Sequence, residues 1–182
     1  MSNRVYIATS LDGFIADRNG GLDWLHSIPN SDGSDFGFAE FMASVDALLM
    51  GRNTFETVLS FDGAWPYTKP VYVASNSLEM IPSDLDDKAS LIQGTPGEIL
   101  TTLNGRGLKN LYIDGGVTIQ QFLQCDLIDE MIITTIPILL GEGIPLFTHL
   151  EHPQTFEHQK TEVLLNSMVK SSYKRKRANS RL

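Results

Sequence analysis

The apolar positions of this chain fall into short runs separated by stretches of longer period. Residues 4–9 are rich in strand formers (Val5, Tyr6, Ile7) and close on Ser10-Leu11-Asp12-Gly13, which predicts a buried first strand. The same signature returns at 47–50 before Gly51, at 71–74 before Ser75-Asn76, at 91–92 before Gly94, and at 111–113 before Asp114-Gly115-Gly116. Between these runs lie amphipathic stretches: 36–45, with Phe38, Phe41, Met42 and Val45 at helical spacing, then 54–59, 97–103 and 118–123. Short apolar strands alternating with helices imply an α/β protein with a mostly parallel sheet covered on both faces.

After residue 130 the pattern changes. Residues 131–136 read as a strand, a Pro/Gly-rich loop follows at 137–145, and two alternating segments at 158–164 and 169–174 flank Leu165-Asn166-Ser167-Met168 as an antiparallel hairpin. A parallel core with an antiparallel edge results. No repeat, low-complexity segment or long linker divides the chain, so its 182 residues are expected to form a single domain.

Charge narrows the choice of partners. Five bases follow Tyr173, so up to Ser172 nine bases face 22 acids, a net of −13. Such a surface repels nucleic-acid backbones, and residues 175–182 are expected to be a disordered, solvated basic tail. One cysteine, Cys125, forms no intrachain bridge and is expected to be a small buried hydrophobe. The histidines show no metal-ligand spacing, with His149 and His152 reading as a solvated pair. No apolar run approaches a membrane span and no signal-peptide core opens the chain, so a cytoplasmic location is expected.

In open parallel sheets the ligand crevice lies outside the carboxyl ends of the strands. There Gly51-Arg52-Asn53-Thr54 combines close backbone approach, free amides at a helix start and a fixed cation, which suits a phosphate. The alternative is that Gly51 merely ends a strand and Asn53 or Thr54 merely caps a helix. Gly115-Gly116 before Val117-Thr118 makes the same offer, and Ser75-Asn76 and Gly94-Thr95 also end strands with small or polar groups. Neither glycine turn has the Gly-x-Gly-x-x-Gly spacing of dinucleotide-binding folds, and there is no P-loop.

In order and spacing these segments resemble the dihydrofolate reductase-like superfamily, and most closely the C-terminal reductase domain of the bifunctional riboflavin-biosynthesis enzyme. The resemblance rests on Ser10-Leu11-Asp12-Gly13-Phe14-Ile15-Ala16, Gly20-Gly21-Leu22-Asp23-Trp24-Leu25, Met50-Gly51-Arg52-Asn53-Thr54-Phe55-Glu56, Leu111-Tyr112-Ile113-Asp114-Gly115-Gly116, and the segment from Pro137 to Phe147. It implies a sheet of about eight strands and an NADPH-dependent reductase of a small pteridine- or pyrimidine-like heterocycle, with a symmetric dimer possible. By the same resemblance Arg52 and Thr54 would hold phosphates, Ser75 and Asn76 the adenosine half, and Gly115, Gly116, Val117 and Thr118 the pyrophosphate. Ala8 and Ile15 would pack near the nicotinamide, and Thr134 would orient an acidic group. The guanidinium of Arg52 independently favours NADPH over NADH, because an NAD ribose site wants an acid.

Reduction of a C=N bond needs a proton as well as a hydride. Candidate catalytic residues are Asp35, sixteen residues before Gly51, and Glu40, with Asp12 and Trp24 as groups that could face a flat ring. Asp35 equally suits a helix N-cap, Asp12 a turn and Trp24 core packing. The chain departs from the riboflavin-type pattern in having no base at 38–43 and Phe61-Asp62-Gly63-Ala64-Trp65-Pro66 in place of an Asp-x-Pro-x-Leu segment, both of which serve a phosphoribosyl substrate in that family. Two rivals stand beside the reductase: an inactive nucleotide-binding module on the same fold, and a cofactor-free interaction protein that uses the hairpin and tail.

Overall fold

A computed structural model describes residues 2–177. The chain runs β1 (Ser2–Ser10), β2 (Phe14–Asp17), α1 (Phe38–Ala43), β3 (Ala47–Gly51), α2 (Arg52–Leu59), β4 (Val71–Ala74), β5 (Ala89–Ile92), α3 (Pro96–Gly105), β6 (Asn110–Asp114), α4 (Gly116–Gln124), β7 (Glu130–Ile136), β8 (Gly143–Pro145), β9 (Phe156–Leu164) and β10 (Met168–Arg175). Eight strands form one sheet in the order β5-β4-β3-β6-β1-β7-β10-β9. The first six are mutually parallel, β10 runs against β7, and β9 pairs antiparallel with β10.

Strand periodicity divides the core. Val5, Leu49, Leu111 and Ile113 meet Ile99 and Leu103 of α3 and Ile119 and Phe122 of α4 on one face. Leu48, Met50 and Tyr112 meet Phe41 of α1 and Phe55 of α2 on the other. Adjacent residues such as Leu48 and Leu49 are both fully buried because both faces are covered, each contributing about 1.5–3 kcal/mol. Helix α3 starts with a capping box in which Glu98 donates its backbone amide to Thr95 Oγ1 and accepts the Thr95 backbone amide on its carboxylate.

Four expectations need correction. Helix α1 begins two residues later than 36, because Phe36 and Gly37 sit at φ 56° and 90°, in the left-handed region a right-handed helix cannot contain. Residues 143–145, expected as part of a loop, pair with residues 14–17 in a separate two-stranded ribbon, β2–β8. The tail starts later than 175: Arg175 still belongs to β10 and bonds Asp126 through Nε at 2.7 Å, and Arg177 reaches Asp129 at 2.5 Å. Residues 178–182 of that expected tail lie outside the described residues. Cys125 is exposed, since it follows the last turn of α4 where the chain leaves the sheet. The hairpin is as expected, with Leu165 and Asn166 both at positive φ, as a type I′ turn requires. Among the described residues no helix is long and apolar enough to cross a membrane, and no group of three or more His, Cys, Asp or Glu is arranged to hold a metal.

Candidate active site

Because β3 and β6 are neighbours, the turns that follow them meet at the carboxyl edge of the sheet. The contact is tight enough to dictate glycine. A Cβ on Gly51 would lie 2.9 Å from Thr118 Oγ1, and one on Gly115, at φ +87°, would collide with Thr54 Oγ1. Thr54 belongs to the first turn of α2 and Thr118 to that of α4, so the amino ends of two helices converge on one spot with their unpaired amides. Arg52 stands at the rim, its Nε 2.7 Å from Glu56 Oε1 and its Nη1 donating to Ser77 Oγ at 3.2 Å. Asn53 is exposed beside it.

A groove of about 140 Å³ continues from this cradle, lined by Ser75, Asn76, Gly94, Pro96, Thr118 and Phe122. Ser75 Oγ accepts the Leu78 amide at 2.9 Å, which folds the loop after β4 back toward Arg52. Gly94 takes φ +123°, a conformation open to glycine, immediately before the capping box of α3. The strand-end residues 51–54, 75–76, 94 and 115–118 thus come together along one edge.

Over the cradle lies the β2–β8 ribbon. Ile15 Cδ1 would be 2.7 Å from a Cβ on Gly116, and Val117 beside it is exposed. Asp12 fastens this ribbon at its base: its carboxylate accepts the Ser10 hydroxyl at 2.6 Å, the Leu140 amide at 3.2 Å and the Gly141 amide at 2.8 Å. The Ser10 bond foremost, then the amides of Gly141 and Leu140, hold the carboxyl below its usual range, so it stays ionised in its latch. Asp12→Ala is expected to speed hydrogen exchange at Leu140 and Gly141 by about tenfold or more with little change at β6, measured by mass spectrometry; unchanged exchange would remove the latch.

The candidate acids are placed apart. Asp35 accepts the amides of Gly37 at 2.9 Å and Ala39 at 2.8 Å, and these bonds, Ala39 foremost, lower its pKa, leaving an ionised cap. Glu40 is exposed and lines a second hollow of about 280 Å³ with Arg4, Glu130, Lys160 and Lys170, along β1, β7, β10 and β9 and not at the glycine cradle. Trp24 is buried against Ile136 and Met168, with Ala8 packed on the same cluster, and Thr134 lies opposite Ala8.

A further acid stands directly beside the glycine cradle. Asp114 ends β6, the strand beside β1, and shares the face of Tyr112. Burial pushes its carboxyl up to about 6, against the opposing pull of the Gly115 amide and the Tyr112 hydroxyl, although part of the residue remains open. Its charge in turn raises the phenols of Tyr67 and Tyr112, secondary to their own burial. Oδ1 accepts the Gly115 amide at 2.8 Å, which leaves Oδ2 for a proton. The signal was an acid at the end of an apolar strand directly before Gly-Gly.

A profile of the RibD C-terminal domain matches residues 4–170. The chain belongs to the RibD C-terminal domain family. A Shewanella sp. PV-4 protein assigned provisionally to riboflavin biosynthesis is 55% identical, covering 97% of this chain and 100% of its own, with a TM-score of 0.95. A Thermotoga maritima diaminohydroxyphosphoribosylaminopyrimidine deaminase/5-amino-6-(5-phosphoribosylamino)uracil reductase superposes at TM-score 0.74 and 17% identity over 96% of this chain and 56% of its own, which shows shared fold. Enterococcus faecalis dihydrofolate reductase, in complex with NADP(H), superposes at 0.65 and 16% identity over 96% of each chain. The RibD reductase-like domain and the dihydrofolate reductase-like sheet expected from the motifs are therefore both present.

Proposed function

We propose that this RibD-family protein is an NADPH-dependent reductase of a small, flat heterocycle. The observation that carries the reading is the glycine-enforced meeting of the α2 and α4 amino ends beside Arg52. Glycine at 51 and 115 lets Thr118 and Thr54 pack against these turns, so the amide-bearing first turns of α2 and α4 sit side by side, an arrangement that suits an anion. Gly51, Thr54, Gly115, Gly116 and Thr118 would hold the pyrophosphate, Arg52 with Ser77 a ribose phosphate, and the groove at Ser75, Asn76 and Gly94 the adenosine. Dihydrofolate reductase of the same fold takes NADP(H), which supports the cofactor class.

Bound there, the cofactor supplies hydride. Asp114 holds the accompanying proton on Oδ2, kept available near neutrality by burial, and delivers it to the ring nitrogen of a C=N bond. Tyr67 and Tyr112 exclude water around that carboxyl, while Ile15 and the Asp12-latched ribbon cover the cradle.

Calorimetric titration with NADPH and NADH, followed by absorbance loss with pterins, folates and aminopyrimidines, tests the reading. Arg52→Ala is expected to weaken NADPH about 10- to 100-fold and leave NADH unchanged. Equal losses for both cofactors would remove the role of Arg52, and cofactor binding without turnover of any ring would make the protein an inactive nucleotide-binding module.

A further inference from the structure

Side chains from two different strands converge on one backbone carbonyl. The sheet register sets Ala8, Thr134, Lys170 and Glu162 in a row across β1, β7, β10 and β9, and Tyr6, Ile132, Ser172 and Lys160 in a row nearer the amino edge. Residues opposite one another share a face, so Lys170 and Tyr6 both point to the side that carries α1. From the first row Lys170 Nζ donates to the Phe36 carbonyl at 2.7 Å, and from the second the Tyr6 hydroxyl donates to the same oxygen at 2.9 Å. Glu162 pairs with the ammonium at 3.1 Å. Burial, then the charges of Asp35 and Glu162, push the Tyr6 phenol up to about 12, so it remains a donor.

The carbonyl they hold belongs to a strained turn. Phe36 lies at φ 56°, where a bulky side chain is disfavoured, and Gly37 follows at 90°. Such a backbone persists only where its surroundings fix it. Asp35 does so from within the chain, through the amides of Gly37 and Ala39, and Lys170 and Tyr6 do so from the sheet. The Lys170 side chain is only 13% exposed, so its ammonium is largely removed from water. An apolar residue there would avoid that desolvation and would leave the carbonyl without its charged donor. The turn leads to a wall beside the cradle. Strand β1 lies between β6 and β7 and parallel to both, so the carboxyl ends of β1 and β7 are next in line from Asp114 and the glycine turns. Ala8 and Ile136 stand near those ends, and the Phe36 ring packs with them around Trp24.

We propose that Lys170 is a positioning residue of the reductase: acting through the Phe36 carbonyl, it fixes the left-handed turn and with it the Trp24–Phe36 wall that bounds the place of the heterocycle. The cofactor cradle is set independently, by the glycine turns at the ends of β3 and β6. Lys170 therefore acts on affinity for the ring and not on affinity for NADPH. The proposal rests on the reductase reading for the identity of what the wall holds.

The test compares Lys170→Met, which keeps the aliphatic stem and removes the charged donor, with Lys174→Met, an exposed lysine four residues on in the same strand, in the full chain. Hydrogen exchange at the Gly37 and Ala39 amides is expected to accelerate about tenfold or more in Lys170→Met and to stay unchanged in Lys174→Met. NADPH affinity by calorimetry should change by less than about twofold. For whichever pterin, folate or aminopyrimidine the native protein reduces, KM should rise about tenfold or more while kcat stays within about threefold. Glu162→Gln, a change on the edge strand that loosens the hold on the ammonium, should move exchange and KM in the same direction by about threefold, and it decides the matter should Lys170→Met fail to fold. Unchanged exchange, unchanged KM, or a loss of NADPH affinity equal to that for the ring overturns the proposal. A native protein that reduces no ring removes the reductase reading and leaves exchange to decide whether Lys170 holds the turn, so the two fail separately.

Discussion

Asp114→Asn is expected to cut turnover by about 100-fold or more while NADPH affinity changes by less than about twofold. Asn keeps an oxygen for the Gly115 amide, which in the native chain bonds Oδ1 at 2.8 Å, so the cradle should survive and only the proton is lost. The pH dependence has a definite direction. With the carboxyl at about 6, the proton-bearing form declines as pH rises through 6, and native turnover should fall with it if proton delivery limits the rate. Stability moves the same way. The folded pKa lies above the unfolded value near 3.8, so the unfolded chain loses this proton first, and the contribution of Asp114 becomes unfavourable between about pH 4 and 6. Above that window Asn escapes the penalty, and allowing for the part of Asp114 that remains open, the variant should be more stable by about 1–2 kcal/mol at pH 8 and gain nothing at pH 4. A variant that is both slower and more heat-resistant in alkaline buffer would be hard to explain by a structural role. Retained turnover would remove Asp114 from the chemistry.

Gly115→Ala should be severely damaging for so small a change. The backbone there sits at φ +87°, and the added methyl would collide with Thr54 Oγ1, so α2 and α4 must separate or the turn must change conformation. Strain of this kind costs about 2–4 kcal/mol, or about 5–12 °C in Tm for a domain of this size. Loss of the NADPH heat should accompany it. Gly105→Ala is the control, because its methyl meets nothing within 4 Å at the end of α3 and should leave both quantities nearly unchanged. Normal NADPH binding by Gly115→Ala would mean that the two helix ends are not a rigid pair.

The contrast between these two positions shows what could be read before folding. Gly115 announced itself locally, as did Gly51 and Arg52, because a glycine directly after an apolar strand is a short-range signal and parallel strands bring such ends to one edge. Asp114 was visible as a residue, yet its chemistry depends on Tyr67 and Tyr112 closing around it, and no periodicity reports a contact between the α2–β4 loop and β6. The same distance hid the β2–β8 ribbon and the Asp12 latch, whose bond to Gly141 spans 129 residues. Asp35 has the motif spacing to Gly51, but its carboxylate is committed to the amides of Gly37 and Ala39, beside a left-handed turn at Phe36 that composition does not reveal.

Strand β1 sits between β6 and β7, and its first hydrogen bonds reach far downstream: the Asn3 amide donates to Asp129, 126 residues away. On a ribosome adding about 5–20 residues each second, the first apolar segment therefore waits about 6–25 s before both flanks exist. It emerges early and is sheltered late. Nascent chains of this protein should consequently depend on holding factors at the exit tunnel, and any translation product that stops short of β7 leaves one edge of β1, from Arg4 to Ser10, without its partner strand and open to pairing with other chains.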